Sequence, residues 1–308
     1  MTDTAVRSAR GPAHAGAKEE TPLRRFAAAY CEDKIAVGAL IAFSVILALA
    51  LAAPLYVPQN PYDLAAVDVM DSRMPPGEMT GAGFIARLGT DGVGRDIFSA
   101  IFYGLRISIA VGAISGLIAA SIGMTVGLIA AYAGGRADSL IMRIVDLQLS
   151  LPAILMALIL VALLGKGVDR IILALVIVQW AYYARTTRAT ALIERRKEYV
   201  EAAASLDFSD ARILFQHILP NCLAPVIVIA TVQTAHAISL EATLSFLGVG
   251  LPQTEPSLGV LIANGFQYML SGSYWISFFP GLALVLTVVT INLVGDRLRD
   301  VLNPRLEK

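Results

Sequence analysis

Long runs of apolar residues alternate with shorter polar segments along this chain of 308 residues. A run of about 20 apolar residues, at a helical rise of about 1.5 Å each, crosses the hydrocarbon core of a bilayer. Six runs meet or approach that length, and they cover residues 35–57, 107–135, 147–165, 171–184, 221–240 and 274–295. The pattern predicts an all-α integral membrane protein with about six transmembrane helices.

The spans divide the chain into membrane and polar parts. The predicted divisions are a partly disordered tail at 1–34, a first span at 35–57, a loop at 58–103, a core of five spans at 104–296 with a polar segment at 192–220, and a tail at 297–308. The first span is predicted to be retained, because a long polar tail precedes it and a signal-peptide core has only about 7–15 apolar residues.

Composition supports a membrane protein and excludes several other classes. Only 16% of the residues are charged and 56% are hydrophobic, whereas about 25% of a soluble domain is charged. The formal net charge of zero gives no sign of a nucleic-acid-binding surface. The two cysteines, Cys31 and Cys222, are too few for a disulfide framework or a metal site.

The distribution of Lys and Arg predicts the orientation. Positive residues are frequent in 1–34, 185–222 and 297–308, scarce in 58–103, and missing from 248–273. Because positive residues favour the cytoplasmic side of a membrane, both termini and the polar segment 192–220 are expected in the cytoplasm.

The polar segment 192–220 has the pattern of two short helices. Residues 201–203, Glu-Ala-Ala, favour a helix, and that helix is predicted to break near Asp207. Ser209 is then predicted to cap a second helix through its hydroxyl, and Pro220 to end that helix or to start the next span. The segment is interpreted either as a solvated hairpin that links two spans or as a docking site for a soluble partner.

The end of the loop 58–103 is rich in glycine and charge, with Gly89, Asp91, Gly94, Arg95 and Asp96 in close succession. Glycine permits tight turns, and Asp96 is expected to start a helix over 97–103 on the outer membrane face. Two interpretations remain open, a turn that caps an interfacial helix and a part of an outer gate or receptor-facing surface.

Polar residues inside the spans are candidates for a transport path or gate. Arg143 and Asp146 are three residues apart, share a helix face and are expected to pair. Gln233 and His236 lie deeper, and a hydrogen-bonded packing role is favoured for His236. Glu241 is placed near an outer mouth. Small residues of the second helix favour close helix packing instead; they are Gly112, Gly116, Gly123 and Gly127.

The segment around 201–220 resembles the EAA loop of ABC-importer membrane subunits. In that loop, Glu-Ala-Ala is followed after three residues by Gly and after nine more by Ile-x-Leu-Pro; here Asp207 replaces the Gly and His217 replaces the Ile. The stretches 88–96, 103–108, 241–250 and 256–259 resemble the C-type permease subunit of dipeptide and oligopeptide importers. The resemblance covers roughly residues 35–304.

This resemblance implies a type I ABC-importer fold with a cytoplasmic coupling helix. The residues that it assigns to coupling are Glu201, Ala202, Ala203, Asp207, Phe208, His217 and Pro220. The implied partners are a second, homologous permease subunit, two ABC ATPase subunits and an extracytoplasmic substrate-binding protein, in a bacterial inner membrane and without nucleic acid. The implied function is half of an ATP-driven path for peptides.

No cofactor or metal is expected on the chain, and it is not expected to be an enzyme. The phosphate-binding pattern G-x-x-x-x-G-K-[ST] does not occur in the sequence, so ATP and Mg²⁺ are expected on the ATPase subunits. The alternatives are an ABC permease for nickel, glutathione or another small solute, a gradient-driven transporter, and a membrane scaffold.

Overall fold

The computed structural model describes residues 22–63 and 67–302, and this part of the chain is mostly helical. Its helices, in order, are α1 Pro22–Cys31, α2 Lys34–Tyr56, α3 Ile97–Ala133, α4 Gly135–Ser150, α5 Ala153–Leu164, α6 Val168–Glu194, α7 Glu198–Ser205, α8 Asp210–Arg212, α9 Leu219–Phe246, α10 Leu258–Phe266 and α11 Trp275–Leu302. A π-helical stretch, Ile213–Ile218, makes α8 and α9 one continuous helix.

Short elements complete the loops. Between α2 and α3 lie a 3₁₀ turn, Val69–Asp71, and a two-stranded antiparallel hairpin of β1, Glu78–Met79, and β2, Ile85–Ala86. A second 3₁₀ turn, Met269–Ser271, precedes α11. Most of the expected N-terminal tail and the end of the C-terminal tail lie outside the described residues.

Four helices of the described residues are long and apolar enough to cross a membrane: α2, α3, α11 and the continuous helix Asp210–Phe246. The bent pair α4 and α5 makes a fifth span if it is counted as one. The remaining expected span, the fourth in chain order at 171–184, lies in α6, which has 27 residues and is therefore about 40 Å long. Charged residues towards both ends lower the mean hydropathy of α6 below that of the other spans; they are Asp169, Arg170, Arg185 and Arg188.

Helix α3 is the centre of the bundle and packs against α6 on one side and α9 on another. Glycines permit this close approach, as expected from the sequence. A Cβ atom on Gly123 would collide with the carbonyl oxygen of Trp180, and one on Gly127 would lie 2.5 Å from that of Ala184, both in α6. A Cβ atom on Gly112 would collide with the side chain of Ile238 of α9 and lie 3.2 Å from the carbonyl oxygen of Thr234. The bundle therefore depends on backbone contact between helices.

Two expectations about the spans are wrong. Residues 97–103 are not a separate interfacial helix but the first turns of the 37-residue α3. The third span, expected to be continuous over 147–165, is broken after Ser150 and bends by 91° into α5. The break has a physical cause, because Pro152 restricts Leu151 to an extended conformation.

Pro220 stands at the start of α9, as expected, but no break in the helix precedes it. It lies in the first turn of α9, inside the continuous helix. Proline lacks the N–H that would bond to the preceding turn, and the π-helical stretch Ile213–Ile218 directly before it changes the bonding register there. The hydroxyl of Ser209 makes no capping bond to α8, so the expected second cap is also wrong.

Candidate functional site

Helix α7 is short and polar at its start, where Glu198 and Glu201 occupy the first turn. Carboxylates in this position are stabilised by the positive end of the helix dipole, and alanines fill most of the remaining turn. One face of the helix is buried, through Val200 and Ala203, which are 5% and 3% exposed. The other face, with Glu201 and Ala202, is exposed. The Glu-Ala-Ala motif is thus divided between the two faces.

The C-terminus of α7 is closed by a Schellman motif. The N–H of Phe208 donates to the carbonyl oxygen of Ala203 at 3.3 Å, and the N–H of Asp207 to that of Ala204 at 3.1 Å. This motif requires a left-handed residue, and Asp207 has φ of 59°. Asp207 therefore makes the turn at the position where the EAA loop has glycine, and at a conformational cost that glycine would not have.

The buried face of α7 packs on the ends of three long helices. Val200 and Ala203 belong to one apolar cluster with Leu128 of α3, Ala191 of α6 and Cys222 of α9. Phe208 packs at the edge of the same cluster. Displacement of α7 would therefore act on α3, α6 and α9 together.

Tyr199 adds a polar connection between the same helices. Its hydroxyl donates to the carboxylate of Glu194 at 2.7 Å, and the amide of Asn221 donates to that hydroxyl at 3.1 Å. Lys197 pairs with the other oxygen of Glu194 at 2.7 Å. Burial, and then the nearby Glu194 carboxylate, raise the pKa of Tyr199 to about 12.

His217 and Phe208 lie on the inner side of the turn. Their rings stack with centroids 5.8 Å apart, and the guanidinium of Arg212 lies 4.1 Å from the centroid of Phe208 on its ring face. Asp210, at the start of α8, accepts a hydrogen bond of 2.5 Å from the hydroxyl of Tyr132 at the end of α3. These residues hold the turn on the bundle.

At the other end of the bundle, the outer motif is a buried connection between loops. The Asp91 carboxylate accepts from the Nε of Arg95 at 2.8 Å and from its backbone N–H at 2.9 Å. Arg95 also donates to the carbonyl oxygen of Gln253 at 3.2 Å. Asp91, Arg95 and Asp96 are each at most 3% exposed, so their side chains are not a receptor-facing surface in this conformation.

The glycines and Asp96 of this motif serve the same connection. Gly89 and Gly94 have φ of 81° and 92°, and a Cβ atom on Gly94 would collide with the carbonyl oxygen of Asp68. Asp96 caps α3, as expected, by accepting from the N–H of Ser99 at 2.9 Å. Burial raises the pKa of the Asp96 carboxyl, and its hydrogen bonds to Ser99 act against that rise.

The candidate path residues do not form one cluster. Asp146 pairs with Arg185 of α6 and not with Arg143, so the expected pair is wrong. A second pair, Asp138 with Arg188 at 2.5 Å, connects the same two helices. Helix α4 lies antiparallel to α6, with Asp138 beside Arg188 near one end and Gln148 beside Ile177 near the other. This arrangement places Asp146 beside Arg185. Arg143 lies on the exposed side of α4, beside Arg136 in a shallow cavity.

The remaining candidates lie in α9 and are differently placed. Glu241 is fully buried and accepts from the hydroxyls of Ser108 at 2.9 Å and Ser245 at 2.8 Å. Gln233 is 5% exposed, and its backbone oxygen accepts from Gln179 at 3.5 Å. His236 is half-buried and its side chain makes no hydrogen bond to the described residues, so the packing role favoured for it is not a hydrogen-bonded one.

Sequence reasoning missed several residues of this site. Glu194, Tyr199 and Asn221 connect three helices, yet no spacing rule brings together Tyr199 and Asn221, which are 22 positions apart. Leu206, at the tip of the turn, is 68% exposed. A single exposed leucine is common on protein surfaces, so no sequence signal marks this residue as part of the site.

Comparison with known proteins agrees with this arrangement. Residues 123–308 match the family described as binding-protein-dependent transport system inner membrane component. The chain is 40% identical to the dipeptide transport system permease protein DppC of Escherichia coli, over 94% of this chain and 95% of that protein. It is 37% identical to the di/tripeptide transport system permease protein DppC of Pseudomonas aeruginosa, over 93% of each.

A solved structure shows the same fold. The MetNI methionine ABC transporter, in inward-facing conformations, has a chain that superposes with a TM-score of 0.55 at 20% identity, over 67% of this chain and 98% of that one. Multiple apolar helices and these matches establish a multi-pass membrane protein. The chain belongs to the family of binding-protein-dependent transport system inner membrane components, as an ABC importer permease of the DppC type.

Proposed function

We propose that this chain forms half of an ATP-driven import path for peptides and that α7 is its coupling helix. The observation that carries the proposal is the two-sided character of α7. Its inner face is packed on α3, α6 and α9, while Glu201, Ala202 and Leu206 are exposed on its outer side. A helix placed in this way can receive a push from a soluble subunit and pass it to three spans.

The outer side of α7 fits a groove on a partner. Its small Ala202 permits close backbone approach, its Leu206 offers an apolar anchor, and its Glu201 offers a charge. In the proposed assembly, two ABC ATPase subunits bind ATP and Mg²⁺, and each receives one coupling helix. A second, homologous permease subunit completes the path. The chain itself does not hydrolyse ATP.

Peptide cargo is proposed from the names of the relatives, which are dipeptide and di/tripeptide permeases. An extracytoplasmic binding protein would deliver the peptide on the side opposite α7, and both termini would lie in the cytoplasm. Arg143 and Asp146, exposed on α4, are the better candidates for contact with the path or the second permease. Gln233 and Glu241 are packed inside this chain, and they would reach the path only after a rearrangement.

Cysteine cross-linking tests the proposal. In a Cys31→Ser background, which removes the exposed native thiol, Ala202→Cys and Leu206→Cys are expected to cross-link to an ATPase subunit in membranes. Leu270→Cys is the matched control, because Leu270 is fully exposed beyond α10, away from α7. ATP-driven uptake without any cross-link from residue 202 or 206 would contradict the docking of α7.

A further inference from the structure

A cavity of about 440 Å³ lies between α2, α3, α6 and the loop after α9. Its polar lining consists of Tyr62, Tyr103, Arg106 and Glu255, and the rest of its wall is mainly aliphatic. Arg106 precedes Leu128, which touches α7, by 22 residues of one helix, or about 33 Å. The cavity is thus at the end of the bundle opposite the proposed coupling helix.

Arg106 is the cationic group of the cavity. Its guanidinium lies 5.5 Å from the centroid of Tyr103, on the ring face, and it forms neither an ion pair nor a hydrogen bond with the described residues. It is only partly exposed. A guanidinium next to the hydrocarbon core is costly unless an anion or water compensates its charge, so this group is available to an incoming anion.

Glu255 is the anionic group of the same cavity. Its carboxylate lies close to the hydroxyl of Tyr62, and together with burial, the larger cause, it raises the pKa of Tyr62 to about 12. Tyr62 and Tyr103 form an edge-to-face pair with centroids 5.5 Å apart. Although Arg106 and Glu255 line one cavity, they make no ion pair with each other. Two opposite charges therefore line one cavity without an ion pair between them, and both act on the hydroxyl of Tyr62.

Such an arrangement selects for a molecule that carries both charges. An anion alone would be repelled by Glu255 and a cation alone by Arg106, whereas a zwitterion satisfies both. Charge-assisted hydrogen bonds of this kind are strong when partly desolvated. The aromatic and aliphatic walls suit small side chains, and ligand cavities typically have volumes of about 300–1,000 Å³.

We propose that Arg106, Glu255, Tyr62 and Tyr103 form a subsite at the outer mouth, which holds the free carboxylate and free ammonium of a short peptide. This subsite rests on the proposed peptide cargo but not on the coupling role of α7. A phosphatidylethanolamine headgroup carries the same two charges, so the test separates a peptide from a lipid.

The test measures binding of radiolabelled dialanine to the whole complex, permeases and ATPases together, without the binding protein and in nanodiscs of phosphatidylcholine only. Saturable binding is expected in the presence of ATP and vanadate. Arg106→Gln and Glu255→Gln should each weaken it at least tenfold, while Arg106→Lys, which keeps the charge, should weaken it less than threefold. N-acetyl-dialanine amide, which has neither terminal charge, should compete at least tenfold less well than dialanine.

Arg87→Gln is the matched control. The guanidinium of Arg87 also lies 5.5 Å from an aromatic centroid, that of Phe98, but Arg87 does not line the cavity, so binding should change less than twofold. Absence of saturable binding, equal competition by the blocked peptide, unchanged binding in both Gln variants, or displacement of dialanine by phosphatidylethanolamine would each overturn the subsite. ATPase stimulation by the binding protein, measured on the same samples, tests the proposed function separately. If the binding protein still stimulates the ATPase while dialanine does not bind, the result contradicts the subsite and leaves the proposed function standing.

Discussion

The hydroxyl of Tyr199 in α7 donates a 2.7 Å hydrogen bond to the carboxylate of Glu194 at the end of α6. Asn221, in the first turn of α9, donates to the same hydroxyl. One tyrosine therefore fixes α7 to two long helices, in addition to the apolar contacts below it. The proposed coupling role requires such an attachment, because a loosely attached helix would move without moving the spans.

Replacement of Tyr199 by Phe keeps the ring and removes the hydroxyl. The loss of a hydrogen bond to a charged group is expected to cost about 1.5–3 kcal/mol, and ATP-driven uptake should fall more than the ATPase activity. The measurements are thermal unfolding of the purified permease and the number of peptides imported per ATP hydrolysed. A Tyr182→Phe variant, in which the lost hydroxyl lies in the middle of α6, is the control. Equal loss in both variants would contradict a specific role for Tyr199.

Tyr199 also predicts a dependence on alkaline pH. Its pKa is raised from 10.0 to about 12 in the folded protein, so the neutral hydroxyl is favoured in the folded state. The stability that it contributes is fully present below pH 10 and is lost as the pH rises through about 12. Unfolding measured across this range should show a steeper loss for the wild type than for Tyr199→Phe. Parallel curves of stability against pH for the two proteins would contradict the raised pKa of Tyr199.

Asp207 has a left-handed conformation that glycine adopts without strain. Asp207→Gly is therefore expected to stabilise the protein by about 1 kcal/mol. Ala204→Gly introduces the same residue three positions earlier, in a regular helical conformation, and should destabilise by about 1 kcal/mol. Thermal unfolding of the two variants should move in opposite directions; a destabilised Asp207→Gly would show that the Asp side chain has a further role.

The contact between α3 and α6 leaves no space for a methyl group at Gly123. Gly123→Ala is expected to cost about 1–3 kcal/mol, the usual cost of overpacking, and to lower the yield of assembled transporter. Gly38→Ala in α2 is the control, because no atom lies within 4 Å of its added Cβ, and it should be neutral or stabilising. The two variants are compared by the yield and the melting temperature of the purified transporter in detergent. Similar effects at the two positions would contradict the close contact.

Much of this architecture follows from sequence pattern. Apolar run length predicts α2, α3 and α11, and the glycines of α3 predict its packing surfaces. The left-handed turn near Asp207 follows from the EAA spacing. In each case the cause is local or repeats along one helix, so the sequence displays it directly.

The parts that sequence did not predict depend on contacts between distant residues. Asp146 pairs with Arg185 because α4 and α6 lie side by side. The spacing of three residues between Arg143 and Asp146 does not indicate a partner on another helix. Helix α10 and the buried Asp91–Arg95 pair depend on loops that meet only in the folded bundle. The Tyr199–Glu194–Asn221 connection has the same origin, since it joins three helix ends.

The central claim is that the exposed face of α7 receives the work of ATP hydrolysis, and Glu201→Lys tests it most directly. Glu201 is exposed, so the variant should fold, assemble and retain the ATPase subunits at wild-type levels. Glu78→Lys, an equal charge change on the distant hairpin, is the control. We predict that ATP-driven peptide uptake in proteoliposomes falls at least tenfold for Glu201→Lys and less than twofold for Glu78→Lys. Unchanged uptake with Glu201→Lys would contradict the account.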